Sequence, residues 1–264
     1  MQIINNLINR DNKIISRTII STLMIFTILL LYSCEDNIEY NNPRLTAVVV
    51  KPTKHIKEGV SILTFDGEMS GKLYVPQSYS PNKKMPLLIA LHGSGGSCSN
   101  WESYQTRAEE KGFIFVALDS KKYTWDAIIK SYGEDLQTID RALKYVFDRC
   151  YIDEEHIALS GFSDGGTYTL SLGPCNGDLF THLIAHSPGY LIYSEPIIGK
   201  PKIYISHGLG DNELSVGCSR DHLVPHFIDN MYDVTYCEFM GVHTVPDSVS
   251  EKALDWFLCN DPGN

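Results

Sequence analysis

Basic residues are scarce in this chain, and several common sequence signatures are missing. Lysine and arginine number 22 against 32 aspartate and glutamate residues, a formal net charge of −10. A surface this acidic repels phosphate backbones, so nucleic acid is not an expected partner. No C-x-x-C pair occurs, so the cysteines predict neither a zinc ribbon nor a thioredoxin-like site. There is no repeat or low-complexity tract, and 43% hydrophobic residues support one packed domain.

The N-terminus has the pattern of an export signal. Three basic residues, Arg10, Lys13 and Arg17, precede an apolar run over residues 18–32, and Ser33-Cys34 follow it. A basic region, an apolar core of this length and a small residue before the break are typical of a secretory signal. The run is short for a transmembrane helix, which needs about 20 apolar residues.

Leu31-Tyr32-Ser33-Cys34 resembles a bacterial lipobox, in which the cysteine is lipidated and becomes the new N-terminus. Tyr32 is bulky where that pattern prefers a small residue, and an ordinary signal peptide or a signal anchor is the alternative. We expect a signal peptide of lipoprotein type over residues 1–33, a flexible tether over 34–45 and a catalytic domain over 46–260. The protein is therefore expected in the bacterial cell envelope, anchored to a membrane through a lipid on Cys34 and facing the periplasm or the cell surface.

The remaining cysteines are compatible with export. They are Cys98, Cys150, Cys175, Cys218, Cys237 and Cys259. An even number outside the cytoplasm permits up to three disulfides, and the sequence leaves their pairing open. Cys237 lies in an alternating apolar stretch and fits a buried free thiol equally well.

Apolar runs alternate with stretches of helical periodicity along the rest of the chain. Residues 86–91 and 113–118 are unbroken apolar runs, typical of strands covered on both faces. Residues 132–149 place apolar side chains three and four positions apart, which predicts a helix. A β-rich opening is expected from residue 47, further strands at 60–65, 71–76, 157–159, 182–185, 202–206 and 233–239, and further helices at 167–172, 219–231 and 249–258. The alternation predicts an α/β fold with a mostly parallel sheet, flanking helices and no large lid.

Gly161-Phe162-Ser163-Asp164-Gly165 matches G-x-S-x-G between a predicted strand and a predicted helix. This is the layout of a nucleophile elbow, a sharp turn that exposes a serine hydroxyl at the edge of a sheet. Glycines fit on both sides because the turn is tight and the serine backbone is strained. A glycine-rich turn with an incidental serine is the alternative, since the pattern alone is common.

A serine hydroxyl needs a base to take its proton and an acid to orient that base. Downstream of Ser163, Asp211 and His243 each lie in a loop after a predicted strand, in the chain order Ser, Asp, His expected of this elbow. Glu213, Asp221 or Asp229 could replace Asp211 as the acid. Among the other histidines, His55 and His156 are expected at the surface, His182 and His186 in structural positions, and His207 as a residue that shapes the Asp211 loop.

The oxyanion of acyl transfer needs two backbone N–H donors. The amide of Asp164, directly after the nucleophile, is the first candidate. The second is expected in the glycine-rich loop His92-Gly93-Ser94-Gly95-Gly96, with Ser94 as the leading choice and Gly95 next. His92 is not expected to act as the base, because it belongs to this loop.

A metal site is not expected. His222 and His226 are four residues apart and could share a helix face, but Pro225 disturbs that helix and the glutamate of H-E-x-x-H is missing. No cofactor is indicated by any motif.

Taken together, several motifs resemble those of the phospholipase/carboxylesterase group of α/β-hydrolases. They are Leu91-His92-Gly93, the elbow, Ser206-His207-Gly208 with Asp211, and Gly241 to Pro246 ahead of Leu254-Asp255-Trp256-Phe257-Leu258. The resemblance covers roughly residues 70–258, and secreted feruloyl and polyhydroxyalkanoate esterases share the architecture. It implies an α/β-hydrolase fold and a hydrolase with Ser163, Asp211 and His243 as its triad. Pro174-Cys175 departs from the pattern by ending the elbow helix early.

The sequence therefore predicts a cofactor-independent serine ester hydrolase acting on a small-molecule or lipid ester. A thioesterase or a peptidase on the same triad remains open. So do a non-catalytic surface-binding lipoprotein on a hydrolase fold and a metal hydrolase using His222 and His226. Trp101, Tyr104 and Trp125 are expected either to line the substrate pocket or to serve as packing residues.

Overall fold

The structure, a computed structural model, describes residues 42–259. The predicted signal peptide over residues 1–33, Cys34 and most of the predicted tether lie outside the described residues, so export and lipidation stay predictions. Within residues 42–259, no helix combines the length and apolar character that crossing a bilayer requires.

One sheet of eight strands forms the centre of the described domain. The strands are β1 (Gly59–Phe65), β2 (Glu68–Val75), β3 (Met85–Leu91), β4 (Ile114–Leu118), β5 (Ile152–Phe162), β6 (His182–His186), β7 (Lys202–Gly208) and β8 (Val234–Phe239). The α-helices are α1 (Ser103–Lys111), α2 (Asp126–Ile129), α3 (Glu134–Phe147), α4 (Asp164–Leu172), α5 (Val224–Asp229) and α6 (Asp247–Leu258).

The strand order is β1-β2-β4-β3-β5-β6-β7-β8. β1 pairs antiparallel with β2, and β2 pairs antiparallel with β4. All pairs from β4 to β8 are parallel, so the carboxyl ends of these six strands meet at one edge of the sheet. The mostly parallel sheet predicted from the sequence is confirmed.

Helices cover both faces of the sheet. Along β3, Leu87 and Ile89 face a core that includes residues of α3 and α4, whereas Leu88 and Ala90 face a second core that includes residues of α1 and α6. Successive strand residues point to opposite faces, so an unbroken apolar run is required where both faces are covered.

The opening of the domain differs from the prediction. Residues 47–50 form no strand, and the first strand begins at Gly59. Leu45 and Ala47 are nevertheless buried in the core, and the Arg44 guanidinium pairs with the Asp178 carboxylate at 2.7 Å. Residues 44 and 45, assigned to the flexible tether by the sequence, are therefore packed on the domain, because an ion pair and a buried leucine hold them there.

A helix of the structure was not predicted, and one predicted helix is divided. Helix α1 was not predicted, because its polar sequence buries only a narrow stripe of Tyr104, Arg107 and Ala108. The predicted helix over 219–231 is divided into a π-helical turn, Cys218–Leu223, and helix α5. Pro225 lies in the first turn of α5 and has no N–H to continue the hydrogen bonds of the preceding turn.

None of the six described cysteines forms a disulfide. Cys98, Cys150 and Cys175 are buried as free thiols, and burial raises the pKa of the Cys98 thiol to about 11. Cys237 is a free thiol as well, although it is only partly buried. Within residues 42–259, none of the disulfides that the cysteine count permitted is formed.

Two glycines allow strand β5, helix α4 and strand β3 to approach each other closely. A Cβ added to Gly161 would lie 2.1 Å from the carbonyl oxygen of Gly165. A Cβ added to Gly165 would lie 2.3 Å from the carbonyl oxygen of Leu91, at the end of β3. Both obstacles are backbone atoms of packed elements, so only glycine fits at these positions.

Gly161→Ala and Gly165→Ala are each expected to lower the free energy of unfolding by about 2 kcal/mol or more, because overpacking against backbone separates packed elements. Denaturant unfolding followed by tryptophan fluorescence measures this change. Gly133→Ala is the matched control, since the nearest atom to its added Cβ is 3.7 Å away. Equal loss of stability in all three variants would contradict the packing argument.

Two carboxylates organise the loop between β4 and α3. Asp126 Oδ2 accepts hydrogen bonds from the amides of Gly133 and Asp135 at 2.7 and 2.8 Å. Asp135 in turn accepts from the amides of Lys121 and Asp126, both at 2.7 Å. The Asp135 residue is 1% exposed, and burial raises the pKa of its carboxyl to about 6, with the Lys121 amide opposing and the Asp126 charge reinforcing this rise.

Asp135 is expected to make stability depend on pH. Its pKa of about 6 in the folded state exceeds the ordinary value of 3.8, so ionisation of this carboxyl favours unfolding. Relative to Asp135→Asn, the wild type should lose on the order of 3 kcal/mol as the pH rises from about 4 to 6, and little more above that. Unfolding free energies of both proteins between these pH values check this, and a difference that stays constant with pH would refute it.

Candidate active site

Three side chains from three parallel strands meet at the carboxyl edge of the sheet. Ser163 directly follows β5, Asp211 lies in the loop after β7, and His243 lies in the loop after β8. His243 Nε2 is 2.9 Å from Ser163 Oγ, and His243 Nδ1 is 2.6 Å from Asp211 Oδ2. The structure therefore brings together the three residues that the sequence selected, and Asp221, Asp229 and Glu213 are not needed as the acid.

The strained backbone expected of the elbow is present at Ser163. Its φ is 56° and its ψ is −119°, a conformation that non-glycine residues rarely adopt. The Ser163 amide donates to the His186 carbonyl oxygen at 2.9 Å, which ties the turn to the end of β6. The turn leaves the serine residue 8% exposed, at the edge of the sheet.

Asp211 is held as an ionised acceptor. Its Oδ1 accepts from the amides of Glu213 and Leu214 at 3.0 and 2.9 Å, and its Oδ2 faces His243. Burial alone would raise the pKa of the Asp211 carboxyl, but the His243 bond and these two amides outweigh it, so the pKa lies below its ordinary value.

The tautomer of His243 follows from its partners. A carboxylate can only accept, so Nδ1 carries the proton that points to Asp211, and Nε2 is left to accept the hydroxyl proton of Ser163. The Phe162 ring packs against the imidazole with the ring centroids 4.7 Å apart. The imidazole is thus oriented by a carboxylate on one side and by an aromatic ring on its face.

A second histidine, His207, contacts the loop that carries Asp211. His207 is fully buried, and its Nε2 donates to the Leu214 carbonyl oxygen at 2.8 Å while lying 3.2 Å from Asp211 Oδ2. Its Nδ1 is 2.7 Å from the hydroxyl of Ser219. Since Leu214 O can only accept, Nε2 carries the proton in the neutral ring and Nδ1 accepts from Ser219.

The loop after β3 approaches the serine closely. A Cβ added to Gly93 would be 3.1 Å from Ser163 Cβ. The Gly95 amide donates to the Tyr123 carbonyl oxygen at 2.7 Å, and the Gly96 amide donates to the Gly93 carbonyl oxygen at 3.0 Å. These bonds engage the amides of Gly95, the second choice of the sequence analysis, and of Gly96 within the loop itself.

His92 has a structural part in this loop. The Ser120 amide donates to His92 Nε2 at 3.1 Å, so Nδ1 carries the proton and donates to the Gly93 carbonyl oxygen at 2.7 Å. Burial lowers the pKa of the His92 imidazole. Trp125 Nε1 donates to the His92 carbonyl oxygen at 2.8 Å, so this tryptophan is a packing residue.

A cavity of about 310 Å³ opens beside His243. Trp101 and Phe162 contribute aromatic surface to it, and Asn100 and Thr244 contribute polar groups. Tyr104 lines it as well, and both Trp101 and Tyr104 are buried, so each of them lines the cavity and packs in the core.

The other histidines do not join the site. His156 Nδ1 pairs with Asp153 at 2.8 Å, and its ring stacks on that of His182. His226 packs edge-on against Tyr193. Across residues 42–259, no three His, Cys, Asp or Glu side chains are grouped so that they could hold a metal ion.

Sequence reasoning missed several contacts around Ser163 and His243. Phe162 occupies the variable position of G-x-S-x-G, and its packing on His243 depends on where β8 ends. Thr124 donates to the Asp164 carboxylate at 2.7 Å from a loop with no motif of its own. By contrast, the sequence did indicate that His207 shapes the Asp211 loop, because it lies four residues before Asp211.

No family model matches the chain. A probable feruloyl esterase C of Aspergillus flavus is 30% identical over 128 residues, which cover 45% of this chain and 46% of that relative. The prolyl endopeptidase FAP of Mus musculus is 32% identical over 156 residues, which cover 49% of this chain and 19% of that relative. The matches thus span less than half of the length of either relative.

Solved structures extend the likeness to most of the chain. FphF, a fluorophosphonate-binding serine hydrolase of Staphylococcus aureus, superposes with a TM-score of 0.61 at 16% identity, covering 79% of this chain and all of that one. At this identity the likeness establishes the fold. The chain therefore has the α/β-hydrolase fold, and the Aspergillus flavus relative that it matches over part of its length is named a feruloyl esterase.

Proposed function

We propose that this chain is a serine carboxylic-ester hydrolase that works through an acyl-enzyme on Ser163. The observation that carries the proposal is the pair of short contacts from one imidazole, 2.9 Å to Ser163 and 2.6 Å to Asp211. The esterase names of relatives that match part of the chain support the same chemistry.

The geometry supports a two-step reaction. His243 Nε2 takes the hydroxyl proton as Ser163 Oγ attacks the ester carbonyl, and Asp211 stabilises the imidazolium that forms. The amides of Ser94 and Asp164 stabilise the oxyanion, and the loss of one such donor typically costs about 3 kcal/mol of barrier. The imidazolium then protonates the leaving alcohol, and water repeats the sequence to release the acid.

The direction of proton transfer indicates where the alcohol part of the ester binds. The leaving oxygen must lie next to His243 Nε2, since that atom supplies its proton. The cavity that begins at His243 is therefore the place for the alcohol of the ester. Its aromatic and polar lining suits an alcohol larger than methanol with hydrogen-bonding groups.

A peptidase is the second candidate, because one relative is named a prolyl endopeptidase. The same three side chains could cleave an amide, and an acyl thioester is a third substrate type for them. Turnover of p-nitrophenyl esters, acyl thioesters and peptide anilides by one preparation separates the three. The proposal requires kcat/KM to be highest for the ester.

Ser163→Ala is expected to lower kcat for p-nitrophenyl esters by about a thousandfold or more, because triad knockouts leave only the catalysis of binding and oxyanion stabilisation. Initial rates of purified wild type and variant measure the loss. Ser160→Ala is the matched control, since Ser160 is a fully buried serine on β5 that is not part of the triad. Retention of more than a tenth of the activity in Ser163→Ala, with binding unchanged, would contradict the proposed mechanism.

His207→Leu is expected to lower kcat by about 10- to 100-fold with KM changed less than about threefold, as loss of a residue that orients a functional group typically does. The reason is that the Leu214 carbonyl and the Asp211 carboxylate both lose their contact with the His207 imidazole. His207→Gln keeps a side-chain N–H donor and should recover part of kcat.

The control for this variant is His156→Leu, which removes a histidine that also pairs with an aspartate but lies outside the triad. It should retain the wild-type kcat. If His207→Leu stays folded and retains the wild-type kcat, the support of Asp211 by His207 is not required.

A further inference from the structure

A carboxylate stands beside the nucleophile and takes no part in the triad. Asp164 follows Ser163 in the chain and is the first residue of helix α4. Its Oδ2 accepts a hydrogen bond from Thr124 Oγ1 at 2.7 Å. Among residues 42–259, neither lysine nor arginine forms an ion pair with it, so its negative charge is not neutralised by a cation.

The negative charge of the Asp164 carboxylate disfavours the oxyanion that the proposed reaction forms. The amide of Asp164 is a proposed donor to the oxyanion, so the side chain of the same residue lies near the negative charge that develops there. The amino end of the nine-residue helix α4 favours a carboxylate at this position and offsets part of that cost. An asparagine could accept the Thr124 hydroxyl equally well, so the hydrogen bond alone does not require a charge.

Helix α4, which begins at Asp164, is joined to the loop after β6. The Gly189 amide donates to Thr167 Oγ1 at 3.0 Å, which fixes the loop after β6 on helix α4. Tyr190 follows in that loop and is 46% exposed. Burial raises the pKa of the Tyr190 hydroxyl, and the charge of Asp164 adds to this rise.

The cavity beside His243 is the place for the alcohol, and its lining includes neither Asp164, Thr124 nor Tyr190. With the carbonyl carbon at Ser163 and the alcohol in the cavity beside His243, the acyl group extends out of that cavity, and Asp164 is the charged side chain next to Ser163 in the chain.

We infer that Asp164 is a specificity-determining residue, whose carboxylate excludes esters with a negatively charged acyl group and favours acyl groups that are uncharged or carry a positive charge. The inference rests on the proposed ester hydrolysis. Two like charges in one partly buried site change a rate or an affinity by about tenfold to a hundredfold, depending on their separation and on screening.

Three p-nitrophenyl esters of similar length test it: the monoester of adipic acid, the matching adipamate, and the ester of 6-(trimethylammonio)hexanoic acid. After subtraction of uncatalysed release, the wild type should hydrolyse the amide with a kcat/KM about tenfold or more above that of the carboxylate. The cationic ester should be hydrolysed at least as well as the amide.

Asp164→Asn keeps an acceptor for Thr124 and removes the charge. In this variant the kcat/KM values for the amide and the carboxylate esters should lie within about threefold of each other, because the repulsion between the two carboxylates is gone. The ratio is measured within each protein, so a change in folded fraction or in overall rate cancels. Asp233→Asn is the control for net charge, because Asp233 is exposed and precedes β8 at the opposite edge of the sheet. It should retain the wild-type ratio.

Equal kcat/KM for the carboxylate and the amide in the wild type would overturn the inference, and so would an unchanged ratio in Asp164→Asn. Either result leaves ester hydrolysis itself intact. If the wild type hydrolyses none of the three esters and no other p-nitrophenyl ester, the proposed function fails, and this inference fails with it.

Discussion

The structure depends on one imidazole that is bound from both sides. His243 accepts the Ser163 hydroxyl at one ring nitrogen and donates to the Asp211 carboxylate at the other. Both bonds require the three residues to be held to within about 0.5 Å of their positions, although the serine and the histidine are 80 positions apart in the chain. A parallel sheet meets this requirement because the carboxyl ends of β5, β7 and β8 lie at one edge.

Further hydrogen bonds hold the residues that contact His243. Asp211 is fixed by two amides of its own loop, and His207 joins that loop to Ser219. The elbow holds Ser163 in a strained backbone conformation. The close packing of β5, α4 and β3 offsets the free energy of this strain. Parallel strands and these hydrogen bonds therefore hold Ser163, Asp211 and His243 next to one another.

Much of this could be read from the sequence, for identifiable reasons. Unbroken apolar runs predicted the parallel strands, and the glycines around Ser163 predicted the elbow. Asp211 and His243 followed from their places after strands. Helix α1 could not be predicted because its buried stripe is narrow, and the division of the helix at Pro225 depends on a π-helical turn. Burial of Leu45 and the approach of Phe162 to His243 are tertiary contacts between segments far apart in the chain, which local patterns do not encode.

Labelling by a fluorophosphonate tests the central claim most directly, because it reports on the nucleophile without any assumption about the substrate. The account predicts that the wild type is labelled at Ser163, as located by peptide mass, and that His243→Ala reacts at least about a hundredfold more slowly, since the base that activates the hydroxyl is gone. Labelling at another residue, no labelling of the folded wild type, or an equal rate in His243→Ala would contradict it.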